Sequence, residues 1–193
     1  MKTASERCGF FWDLIMDKIG ICGAGLIGAS WAIGFANAGF KCFVYDKSED
    51  SSTKFKSLAN KLIQDLRIIN PEIDEEKINS NIKLNCTIEE TCNDSILVQE
   101  SVLEDLELKK SVFEQLDKLS PENTIIASSS SYLLISKISE LVKHKYRCIN
   151  AHPALPPHIV PFVEVAGGVN TDPKIIKQAV SIYKKAKYAA ITV

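Results

Sequence analysis

The chain has 193 residues, 46% of them hydrophobic and 24% charged, with a formal net charge of −1. Near-neutral charge excludes a general nucleic-acid binder, which needs cationic groups to neutralise phosphates. The length suffices for one core without disulfides or metal, and no apolar run approaches the ~20 residues that span a bilayer.

Residues 1–15 carry Lys2 and Arg7, then Phe10, Phe11, Trp12 and Asp13. Asp13 interrupts the apolar stretch and no small-residue cleavage site follows, which speaks against a secretory leader. Glu6 and Asp13 speak against a mitochondrial one. The segment reads as an unassigned extension, with the fold starting at Met16. Lys18–Cys22 reads as a strand ending at glycines, Leu26–Ala38 as a helix stopped by Gly39, and Lys41–Tyr45 as a strand ending at Asp46. Such a unit makes its two strands parallel. Ser52–Ile69 is helical on the spacing of Leu58, Leu62 and Leu66, and Pro71 ends it. A short helix at Asp74–Ser80 precedes strands at Ile82–Cys86 and Ser95–Gln99. Leu106–Leu119 is an amphipathic helix. Thr124–Ala127 is a strand running into four serines, Ser136–Val142 a helix, and Tyr146–Ala151 a strand before a proline-dense loop. Phe162–Val165 is a strand, Asp172–Ala186 a helix capped by Thr171 with Pro173 in its first turn, and Ala190–Val193 a last strand. The alternation predicts an α/β fold of Rossmann type, a doubly wound, mostly parallel sheet with helices on both faces, over residues 16–193.

The six cysteines, Cys8, Cys22, Cys42, Cys86, Cys92 and Cys148, form no CxxC or CxxH pair. Neither a metal site nor a disulfide framework is expected; reduced thiols point to the cytoplasm.

Gly23, Gly25 and Gly28 complete a GxGxxG turn whose intervening residues include Leu26 and Ile27. In this strand–turn–helix context the first glycine makes the turn, the second admits a pyrophosphate, and the third lets helix and strand pack closely. The helix N-terminus offers free N–H groups to the phosphates. Asp46, 18 residues beyond Gly28, stands where an acid accepts bonds from the adenosine ribose. A carboxylate there repels a 2′-phosphate, so NAD is preferred over NADP, although Lys47 softens the choice. The bland alternative is a glycine turn without a ligand.

Ligands of open parallel sheets bind beyond the carboxyl ends of the strands. The glycine turn, Glu100, Ser128–Ser131 and His152 all fall at such ends. After His152, Pro153, Pro156, Pro157 and Pro161 fix a shaped loop. His152 and Glu164 can form a pair in which the acid holds the imidazole in one tautomer as a base. His152 as a merely satisfied polar residue is the open alternative. The serine run reads as a ligand loop or as a polar loop or cap. His158 can touch substrate from within the proline loop. His144 reads as part of a solvated turn, and Lys184, Lys185 and Lys187 as a solvated helix face.

The runs KIGICGAGLIGASWA, VQESVLEDLELKKSVFEQLDK, ASSSSYLLISK and HPALPPHIVPFVEV resemble the NAD-binding domain of the L-3-hydroxyacyl-CoA dehydrogenase family across residues 17–193. The serines before the LL pair and the HPxxPPxxxPxVE pattern are most similar to its L-gulonate 3-dehydrogenase (lambda-crystallin) branch. The resemblance implies hydride transfer to NAD from a carbon bearing a 3-hydroxyl, on a small 3-hydroxy acid or an acyl-CoA of fatty acid metabolism. It implies that His152 takes the hydroxyl proton, that Glu164 orients it, and that Ser131 bonds the reacting oxygen. Glu100 corresponds to an acid near the cofactor, and Ser129 and Ser130 would line the nicotinamide and ribose pocket. Two departures stand out. Leu155 takes the place of the family's Asn, and the helical second domain, which supplies a further catalytic Asn and the usual homodimer contact, is not in the 193 residues. The expectation is NAD binding with little turnover unless a partner supplies the second domain. The rivals are a catalytically impaired or structural, crystallin-like relative, and a chain that pairs through the apolar face such a domain would cover.

Overall fold

Side chains alternate across a strand, and here the alternation sends two sets of apolar groups to opposite faces. Ile19 and Ile21 of β1 (Lys18–Cys22) join one buried cluster and Cys22 a second. Leu97 and Val98 divide in the same way, as do Ile125 and Ile126. The computed structural model describes residues 16–48 and 50–193; the reading of residues 1–15 as an extension lies outside them. The remaining strands are β2 (Lys41–Tyr45), β3 (Ile82–Lys83), β4 (Ser95–Glu100), β5 (Ile125–Ser128), β6 (Cys148–Pro153), β7 (Phe162–Gly167) and β8 (Ala189–Thr192). They form one sheet in the order β3-β2-β1-β4-β5-β6-β7-β8. Strands β1 to β6 pair in parallel. β7 reverses against β6, and β8 runs parallel to β7. The doubly wound, mostly parallel sheet is the one the sequence predicts.

Helices α1 (Leu26–Asn37), α2 (Ser51–Ile69), α3 (Glu75–Ser80) and α7 (Pro173–Lys185) cover the first face; α4 (Ile88–Cys92), α5 (Leu106–Leu119) and α6 (Ile135–Ile138) cover the second. The first face centres on Trp31 of α1, which packs on Phe35, Tyr183 and Tyr188 at ring separations of 5.5, 5.5 and 4.9 Å. α1 comes this close because Gly34 has no side chain: a Cβ there would lie 2.0 Å from the Tyr188 hydroxyl. None of the described helices is long and apolar enough to cross a membrane.

Several local expectations shift. β3 ends at Lys83, three residues early; two residues later Asn85 takes a left-handed φ of 57° that breaks the extended run. α4 was not read from the sequence, although Thr87 and Glu90 close a capping box at its start. α6 is a single turn, and β6 starts at Cys148 after a 3-10 turn over Lys145–Arg147. That turn ends at Arg147, whose buried guanidinium donates to Asp117 Oδ1 at 2.7 Å. His144 is no solvated turn residue: its Nδ1 lies 3.1 Å from Asp117 Oδ1 in the same cluster. Burial alone would raise the Asp117 carboxyl, but the bonds and charge of Arg147 and the His144 contacts hold it below the usual carboxylate range. Asp172, not Thr171, caps α7, accepting from Lys174 N–H at 2.8 Å. Thr171 instead donates to the Cys148 carbonyl at 2.7 Å. Lys185 meets Asp17 at 2.6 Å on an exposed face, as read. The five described cysteines are free and buried, and burial pushes the Cys148 thiol up to about 12.

Candidate active site at the carboxyl edge

At the end of β1 the chain turns through Gly23, whose φ of 103° is left-handed. A side chain there would also meet the Ser101 carbonyl oxygen at 2.6 Å. Gly28 allows α1 to close on this turn, since its Cβ would sit 1.9 Å from the Gly23 oxygen. Gly25 differs: no atom comes within 4 Å of the place its Cβ would take. The open volume lies at the start of α1, which has no side-chain cap and no acidic residue in its first turn. The N–H groups of Leu26, Ile27 and Gly28 therefore have no intrahelical acceptor and suit an anion. Asp46, at the end of β2, accepts from Ala24 N–H at 2.7 Å through Oδ2 and from Ser48 N–H at 2.9 Å through Oδ1. Its carboxylate is thus fixed beside the turn, with lone pairs left for ribose hydroxyls. A cavity of about 390 Å³ opens here, lined by Gly23, Gly25, Asp46 and Ser101 together with apolar Ile88, Val102 and Leu108. Uncapped amides for phosphate, a carboxylate for ribose and an apolar wall for a base fit NAD.

Glu100 does not face this cavity. Its side chain is fully buried; Oε1 accepts from Lys109 Nζ and Val102 N–H, each at 2.7 Å, and Oε2 accepts from Ser128 Oγ at 2.7 Å. Burial pushes the carboxyl up, against the opposing pull of Lys109. The reading of Glu100 as a cofactor contact is therefore corrected: its oxygens are occupied in fixing the loop after β4 to the serine run. Lys109 also reaches Glu104 at 3.2 Å, and Glu104 accepts from Ser130. Ser129 is likewise engaged inside the protein, with Trp31 Nε1 at 3.1 Å, Gln99 Nε2 at 2.8 Å and Ser101 Oγ at 2.8 Å. Neither serine presents a free hydroxyl to a nicotinamide ribose. Ser101, which sequence reasoning passed over, lines the cavity.

His152 and Glu164 stand directly opposite in the antiparallel β6–β7 ladder. The reversal of β7 brings residues twelve apart face to face, and His152 Nδ1 lies 3.0 Å from Glu164 Oε2. The His and Glu side chains remain 35% and 41% exposed. With Nδ1–H donating to the acid, Nε2 is left as the free lone pair. Ser131, His152 and Glu164 share a cleft of about 170 Å³ with Asn150 and Tyr132. Asn150, also missed in the sequence, donates to the Ser130 and Leu133 carbonyls at 3.4 and 3.2 Å, tying the serine run to β6. Leu155 is 64% exposed. His158 is corrected: it points inward, its Nδ1 3.2 Å from Ser30 Oγ and its Nε2 3.7 Å from Asp65 Oδ2, with burial lowering its pKa. It anchors the proline loop to α1 and touches no substrate cleft.

Residues 18–193 match the family described as 3-hydroxyacyl-CoA dehydrogenase, NAD binding domain. The chain belongs to that family. It is 35% identical to the lambda-crystallin homolog of Rattus norvegicus over 176 residues, 90% of this chain and 55% of that protein. It is 30% identical to L-carnitine dehydrogenase of Streptomyces griseus subsp. griseus over 175 residues, 91% of this chain and 52% of that one. The solved structure of (S)-3-hydroxybutyryl-CoA dehydrogenase from Ralstonia eutropha is similar with a TM-score of 0.85 at 25% identity, covering 92% of this chain and 63% of the other. The chain spans about half the length of the curated relatives it matches. It carries the family's NAD-binding domain, and the family's members are NAD-dependent oxidoreductases.

Proposed function

We propose that this domain binds NAD at the glycine turn and takes part in oxidising the 3-hydroxyl of a small hydroxy acid or hydroxyacyl-CoA, in the cytoplasm and as part of a homodimer. The carrying observation is the His152–Glu164 pair at 3.0 Å, half-exposed at the same sheet edge as the nucleotide-sized cavity. When bound, NAD supplies the hydride acceptor. Glu164 fixes the His152 tautomer, so that Nε2 faces the cleft as the base for a substrate hydroxyl proton. Ser131, exposed on the cleft, donates to the reacting oxygen. Glu100 acts at a distance by holding the serine run. A hydroxyacyl substrate is supported by the names of the relatives, which include dehydrogenases of L-carnitine and of a hydroxybutyryl-CoA.

The test is NADH formation by the full chain with 3-hydroxybutyryl-CoA, L-carnitine and L-gulonate, alongside NAD binding followed by calorimetry. NAD binding, with any turnover abolished in His152→Ala, is the expected result. Turnover unaffected by His152→Ala overturns the role of the pair, and absence of NAD binding overturns the whole reading. Leu155 favours a second reading, a binding relative without turnover. The family's amide is replaced there by an exposed apolar side chain that can form no hydrogen bond. NAD binding with no turnover on any of the three substrates supports it.

A further inference from the structure

The hydrogen bonds behind the cavity have a direction, and it can be worked out from the inside outward. Tyr183 is fully buried, and burial holds its phenol protonated. Among the described residues its hydroxyl has one partner, Gln99 Oε1 at 2.5 Å, so the phenol must donate there. That fixes the Gln99 amide with Nε2 toward Ser129 Oγ at 2.8 Å. Turning the amide over would strand the phenol proton in the core, at the cost of an unsatisfied buried donor. Trp31 Nε1, which can only donate, occupies the second lone pair of Ser129 at 3.1 Å. Ser129 has then no acceptor capacity left, and its own proton goes to Ser101 Oγ at 2.8 Å. Ser101 accepts this bond, and its own proton has no acceptor among the described residues.

Ser101 stands on the wall of the 390 Å³ cavity with Gly23 and Gly25. Its carbonyl backs against the first glycine, 2.6 Å from where a Cβ would lie. Resting on the NAD reading given above, we propose that the Ser101 hydroxyl is a cofactor-binding donor, aimed by the Tyr183–Gln99–Ser129 chain at a diphosphate oxygen beside the glycine turn. Trp31 takes part by filling the lone pair that would otherwise let Ser129 accept from Ser101. The aromatic core thus sets the polarity of a hydroxyl at the cofactor site. An inward-donating Ser101 would instead offer a lone pair to an anion.

Calorimetric titration of the full chain with NAD, ADP and adenosine tests this. Loss of a hydrogen bond to a charged group predicts about tenfold or more weaker binding of NAD and ADP by Ser101→Ala. Adenosine affinity should be unchanged. Ser129→Ala leaves the Ser101 proton in place but removes the bond that orients it and strands two buried donors, so it should lower the melting temperature and weaken NAD binding by clearly less than Ser101→Ala does. Unchanged NAD affinity in Ser101→Ala overturns the inference. Loss for NAD with ADP unaffected overturns the diphosphate assignment, and a Ser129→Ala loss as large as that of Ser101→Ala overturns the idea of a direct contact. If wild type binds neither NAD nor ADP, the reading of the site fails and this inference with it.

Discussion

Glu100 and Glu164 belong to one sheet and lie toward the same edge of it, each beside a basic side chain. Glu100 ends β4 and is sealed, its partner Lys109 only 1% exposed. Glu164 lies across the ladder from His152 with both side chains more than a third open to solvent. In the first pair the carboxylate meets three donors and has no free direction. In the second, each partner keeps unused capacity, and both side chains line a cleft. The same chemistry of acid and base is a fastening in one place and, in the proposed function, a reactive pair in the other. Burial and saturation separate them, because a charge taken out of water must be fully compensated whereas a half-exposed one need not be.

The sharpest way to break this contrast is Lys109→Met. It leaves the buried Glu100 carboxyl without its charged partner, for which about 3–5 kcal/mol of stability should be lost in a denaturant titration. Adding Glu100→Gln should restore most of it, and a loss within experimental error would show that Glu100 is not sealed. Next is Asp46→Ala, which removes a ribose acceptor and the bond to Ala24. NAD affinity should fall about tenfold or more, in keeping with a lost charged hydrogen bond, with discrimination against NADP relaxed. Unchanged binding by calorimetry would place the adenosine elsewhere.

A third test uses acid. The folded Asp117 carboxyl is depressed relative to an unfolded value near ~3.9. Its contribution is therefore complete above that value and lost as pH falls through the lower, folded one. Melting temperatures of wild type and Asp117→Asn should differ at neutral pH and converge below about pH 4. Parallel curves would remove Asp117 from the acid response. The smallest stability effect belongs to Glu164→Gln, since a pair this exposed is worth about 0–1 kcal/mol. Its signature is in NADH formation, where turnover of any active form should drop while the melting curve barely moves. A large melting shift would make this pair a fastening too.

Much of the nucleotide side was legible because glycine leaves a mechanism in the sequence: Gly23, Gly25 and Gly28 each answer a distinct steric demand, and Asp46 follows at the next strand end. The His152–Glu164 pair was legible as spacing, but its cause, a strand that reverses, was not. Glu100 misled because its partner Lys109 sits on a helix that looks ordinarily amphipathic. Nothing local shows that this one lysine turns inward. Ser129 misled in the same way, since its three partners come from α1, β4 and the loop after β4. Thr87 and Glu90 did carry the signal for α4, whereas the early end of β3 rests on one left-handed residue, Asn85, that no pattern marks.

Because β7 runs back against β6, the loop 154–161 leaves and re-enters the sheet at the chemical edge. The nucleotide turn hangs from other strands, β1 and β2. Exchanges at its exposed Leu155 can therefore alter what, in the proposed function, approaches His152, whereas His158, 3.2 Å from Ser30 Oγ, ties the other part of the loop to α1 behind the phosphate turn. The loop thus has two ends of different consequence: a change near Leu155 bears on the cleft alone, and a change at His158 is felt at the helix that opens the nucleotide turn.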